Sequence, residues 1–136
     1  MPNMLSSGPL LGRAATFSLV GLVALVMIGG GLAHLATPTS FEPLVPAFLP
    51  AVPVLVLAGL VQIAIGAFAI WPRTRAWGGL AFAALCAAYL PLHLWDFFRP
   101  DPVFAPPMAA SIRVLVQLLF IAAGVALWRR ARPTTA

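Results

Sequence analysis

The stretch PVLVLAGLVQIAIGAFAIWPRTRAWGGLAFAALCAAYLPLHLWDF, residues 53–97, decides the fold. It holds two apolar runs, 53–70 and 76–97, separated only by Trp71, Pro72, Arg73, Thr74 and Arg75. Each run has roughly the ~20 residues that a helix needs to cross a ~30 Å hydrocarbon core. A connection this short permits only an antiparallel pair of helices. Neither run alternates as a barrel strand would, and lipid offers backbone N–H and C=O groups no partners, so helix is the required form.

Working outward, two further apolar runs at about 14–36 and 109–128 complete four spans in an all-α, antiparallel, up-and-down membrane bundle. The charges fix its expected orientation. Arg13, Arg73, Arg75, Arg129, Arg130 and Arg132 fall at three places with no acid near them, while Glu42, Asp96 and Asp101 fall between those places with only Arg99 and Arg113. Short cytoplasmic segments accumulate Arg and Lys, so both termini are expected in the cytoplasm and the acids outside, as in a multi-pass protein of the bacterial cytoplasmic (inner) membrane. Trp71, Trp77, Trp95 and Trp128 stand near the span ends, at headgroup level. The first span is longer than a signal-peptide core, and His34 and Leu35 sit where a cleavage site wants small residues, so it reads as a retained helix.

The outer loop of about residues 37–52 mixes Pro38, Pro43, Pro46 and Pro50 with Phe41, Leu44, Val45, Phe48 and Leu49. That is too apolar for a disordered linker, and a structured lid over the bundle mouth is expected. The loop 98–108 is likewise stiffened by four prolines. Residues 1–12 and 131–136 read as short cytoplasmic tails, and the whole chain, 1–136, as one membrane domain.

Composition agrees. Of 136 residues, 62% are hydrophobic and 8% charged, and the mean hydropathy is +1.01; soluble domains carry about 25% charged residues. The net charge of +5 does not point to nucleic acid, because the arginines stand at span ends and not in one patch. Cys86 is the single cysteine, which excludes a thiol pair, an internal disulfide and a thiolate cluster. Two histidines without a ligand-spaced third argue against a metal site.

Inside lipid, each polar side chain needs a partner and marks the bundle interior. Gly59, Gln62 and Gly66 share one face of the second span, Tyr89, His93 and Asp96 one face of the third, Arg113 and Gln117 one face of the fourth, and His34 ends the first. From the helical rise, Gln62 and Gln117 both lie roughly 12–13 Å below the outer boundary, level enough to meet; Arg113 and His93 lie ~6 Å deep, and His34 and Asp96 at the rim. His34, Gln62, Tyr89, His93, Asp96, Arg113 and Gln117 are the candidate ligand pocket, opening outward. The plainer reading is that Arg113 snorkels to headgroups, the glutamines bridge helices, and Asp96 caps a helix end or pairs with Arg99.

The ordered series Gly31-x-x-His34, Pro38, Phe41, Pro46, Leu49-Pro50, Gly59-x-x-Gln62-x-x-x-Gly66, Pro72-Arg73-Thr74-Arg75, Trp77 and Arg113-x-x-x-Gln117 resembles the DoxX and DoxX-like family of small four-helix membrane proteins. The resemblance spans about residues 14–128, with two departures: Gln62 stands where the family usually has Glu, and His93 where it usually has Asn. It implies a membrane subunit of a redox complex, binding a quinone-like or other amphipathic molecule. Electrons would then come from partner subunits, because the chain has no cofactor motif of its own. The alternatives are a non-catalytic scaffold or assembly factor and, behind it, a small transporter. Four helices without a repeat are few for alternating access, so a transporter would have to form a homo-oligomer. No catalytic residue is assigned.

Overall fold

The computed structural model describes residues 8–132. Among them are four long α-helices, α1 (Gly8–Ala36), α2 (Ala51–Ile70), α3 (Arg75–Trp95) and α4 (Met108–Ala131), with a 3-10 helix over Pro38–Leu44 and no strand. All four are long and apolar enough to cross a membrane. The expected spans recur within a few residues except at the start. There, residues 8–12, read as tail, continue α1, because Arg13 marks a membrane boundary and does nothing to end a helix. Ala131 likewise belongs to α4. The rest of the expected tails, 1–7 and 133–136, lies outside the described residues.

Contacts along the seams run in opposite sequence directions, so neighbouring helices are antiparallel. Gly31 meets Gly59 and Gly66 meets Ile28 between α1 and α2, while Gly79 meets Gly124 between α3 and α4. Such approaches require glycine. A Cβ on Gly31 would stand 2.6 Å from the Gly59 carbonyl oxygen, and one on Gly124 would stand 2.7 Å from that of Gly79. Association in lipid lacks a hydrophobic drive and depends on close packing, which small residues allow. The longest seams lie within the pairs α1/α2 and α3/α4, and at the start of α3 a Cβ on Gly78 would run into the Ala69 backbone of α2.

The inner turn is held by its own residues. Thr74 Oγ1 donates to the Phe68 carbonyl at 3.0 Å. The Arg75 Nε and Nη2 donate to the carbonyls of Ala69 and Ile70 at 3.2 and 3.0 Å. These groups satisfy carbonyls that the end of α2 leaves without helical partners.

Val20, Val23, Met27, Ile65, Ala69, Phe82, Cys86 and Leu127 form the buried apolar core. Of the buried polar residues, His93, Asp96 and Gln117 stand toward the two proline-rich loops, whereas Gln62 stands just past the middle of α2, deeper than the sequence-based depth placed it. Outside, Leu25, Leu57, Leu60, Phe68, Leu115 and Leu119 are each at least half exposed. An apolar surface that extensive is unusual for a soluble monomer and suits hydrocarbon. The chain has the build of a multi-pass membrane protein.

Candidate functional site

Asp96 follows directly on α3 and is only 1% exposed, although the sequence places it at the rim. Burial of a carboxylate demands compensating partners. Its Oδ2 accepts from Arg113 Nη1 at 3.3 Å, its Oδ1 accepts from the Val103 backbone N–H at 3.0 Å, and Arg99 Nη1 stands 3.8 Å away. The Arg113 guanidinium also lies over the Phe104 ring, 4.1 Å from its centre. One carboxylate thus ties together the end of α3, the first turns of α4 and the loop between them. Arg113 neither points simply to headgroups nor joins the glutamines.

At the end of α3, Asp96 reaches Arg113 of α4, and Arg113 and Gln117 lie one turn apart on α4. Gln117 Nε2 donates to the Cys86 carbonyl at 2.6 Å, a bond between the helices. Gln62 takes a different direction, with its amide oxygen against Gly30 of α1 and its side chain beside the Tyr89 hydroxyl. No hydrogen bond joins Gln62 to Gln117 among the described residues. Equal depth sets two side chains at one level but says nothing of the direction each points around its helix, and here the directions differ.

His34 stands apart on the α1/α2 seam, its Cβ against Gly59 and its ring edge-on to Phe41 with centroids 4.6 Å apart. No hydrogen bond links it to Asp96 or Arg113 among the described residues. The seven candidates therefore resolve into His93, Asp96, Arg113 and Gln117 at the α3/α4 mouth, a Gln62–Tyr89 pair deeper in, and His34 by itself.

Beside the Asp96 node a cleft of about 450 Å³ opens on the flank of α4, lined by His93, Arg113 and Gln117 together with Phe104, Ile112 and Val116. His93 is 9% exposed, and its Nδ1 is buried without a hydrogen-bond partner among the described residues. Such a nitrogen is costly unless something completes it. The cleft thus sets apolar side chains beside three polar ones, His93, Arg113 and Gln117. Among the described residues no three His, Cys, Asp or Glu side chains gather to hold a metal ion.

Sequence reading missed three participants: the Cys86 carbonyl, the Val103 N–H and the Phe104 ring. Two are backbone groups, which no residue type announces, and Phe104 looks like any apolar loop residue.

No curated protein and no solved structure matches the chain. One family profile does, over residues 23–128, a range that includes all seven candidate residues and both proline-rich loops. The chain belongs to the family described as a domain of unknown function, DUF8561.

Proposed function

We propose that this protein is a subunit of the bacterial cytoplasmic membrane, with both termini inside, that holds a quinone-like amphipathic molecule for redox partner subunits. The observation that carries this reading is the cleft at the α3/α4 mouth, where His93, Arg113 and Gln117 line one space with Ile112, Val116 and Phe120. Small-molecule sites commonly combine apolar walls with a few converging polar groups. A ring carbonyl could accept from His93 or Arg113 while a hydrocarbon tail lies along Ile112 and Val116 toward lipid. The resemblance to DoxX-like proteins supports the same reading, and the arginine distribution supports the orientation.

Purification in mild detergent followed by mass spectrometry should recover a bound quinone. A short-chain quinone at about 100 times its Kd should stabilise the protein by about 2–3 kcal/mol, and His93→Leu should weaken that binding at least about tenfold. Absence of both a co-purifying quinone and a thermal shift would sink the proposal.

One observation favours a second reading, a scaffold or assembly factor. Asp96 finds all its partners inside the chain, as a purely architectural node would. In that case His93→Leu would leave cellular function intact and Asp96→Ala would abolish it.

A further inference from the structure

A second and larger cavity, about 980 Å³, lies between the loop carrying the 3-10 helix and the end of α3. Its apolar lining includes Phe48, Leu92 and Trp95, of which Phe48 is 85% and Trp95 58% exposed. Glu42 and Asp101 also line it, one from each loop.

The charge here runs against the rest of the molecule. The chain carries +5, yet its only acids are Glu42, Asp96 and Asp101. Asp96 is taken up by Arg113 at 3.3 Å, with Arg99 further off at 3.8 Å. That leaves Glu42 and Asp101, which form no ion pair among the described residues and both belong to this groove. Arg99 reaches the groove as well, but its Nη1 is drawn toward Asp96 at 3.8 Å and the Pro43 carbonyl at 3.5 Å. Asp96 offsets only one of its two guanidinium partners, the nearer Arg113, so the groove lining holds two carboxylates against the Arg99 guanidinium, a net charge of −1 beside Phe48 and Trp95. Exposed aromatic faces attract cations through the negative face of the ring, and the more so where water is thin. A neutral apolar guest would gain nothing from the two acids, and an anion would be repelled by them.

We propose that this groove binds a lipophilic organic cation, an onium or ammonium charge carried on an apolar or aromatic frame. The charge sits between Glu42 and Asp101 and the frame rests on Trp95, Phe48 and Leu92. The site is separate from the α3/α4 cleft and shares no side chain with it.

Two ions of matching size and shape but opposite charge, tetraphenylphosphonium and tetraphenylborate, provide the test. Binding of each to the full chain is measured in nanodiscs of neutral phosphatidylcholine, with empty discs subtracted. Tetraphenylphosphonium should bind saturably and tetraphenylborate should not. The exposed double variant E42Q/D101N should weaken the cation about tenfold, as two solvent-facing charge contacts can supply. Trp95→Leu should weaken it also, whereas His93→Leu, in the other cleft, should not. Equal binding of the two ions, preference for the borate, or a cation affinity untouched by E42Q/D101N would each overturn the proposal.

Discussion

Asp96 is the residue on which the loop end of the molecule depends. Removing one partner of a buried ion pair costs about 3–5 kcal/mol when the other is stranded. Arg113 is one-fifth exposed and can turn toward headgroups, so Asp96→Ala should cost nearer to about 2–3 kcal/mol, read as a lowered melting temperature in detergent. Arg113→Lys should recover only part of the Arg113→Ala loss, because an ammonium reproduces the charge but not the planar stacking on Phe104. Parent-like melting for Asp96→Ala would mean that the pair is decoration. The sequence showed Asp96 with Arg99 three positions on, a spacing at which helical neighbours meet. Its stronger partner, Arg113, lies 17 positions away across a loop. Sequence separation of that size carries no signal, and only the fold of residues 97–107 brings the two together.

The helices were legible almost to their ends, since apolar length and arginine placement answer directly to the thickness of a bilayer. Their faces were legible in part. Gly59 and Gly66 announced a close approach by a neighbouring helix without saying which, and Gly79 and Gly124 lie on helices whose glycine content gave no face away. Their contact makes a clear prediction. Gly124→Ala places a methyl against the Gly79 carbonyl and the Ala83 backbone and should destabilise by about 1–3 kcal/mol, as overpacking does. Gly21→Ala on α1, with nothing within 4 Å of the added methyl, should be neutral or slightly stabilising. Thermal melts of the two variants side by side decide it, and equal melting would show that α3 and α4 are not in close contact there.

For the molecule as a whole, orientation is the property with the widest consequences, because it decides which compartment both cavities face. A reporter active only in the cytoplasm should work when fused after Ala136 or inserted at Thr74, and should be silent at Ser40 or Asp101. A cytoplasmic signal at Asp101 would turn the cavities inward and contradict the positive-inside argument. The level of His93, Asp96, Arg113 and Gln117 near the loop end could be foreseen from helical rise, while Gln62 falls just past the middle of α2. Their division into separate clusters could not, because rise gives height without direction.

The two glycine seams, Gly31 with Gly59 and Gly79 with Gly124, each lie inside a pair of helices consecutive in the chain. During synthesis, each pair can therefore dock as soon as its second helix has emerged, with no need to wait for the remainder. The bundle is in this sense two hairpins that also meet beside the turn joining them, where Gly78 of α3 packs on the Ala69 backbone of α2. Fragments 1–75 and 76–136, co-expressed from separate messages, should assemble in the membrane and co-purify through a tag on either one, with Thr74 and Arg75 kept on the first so that α2 retains its caps. Failure of the fragments to find each other, with each still inserted, would show that the Gly78–Ala69 contact needs the covalent turn beside it.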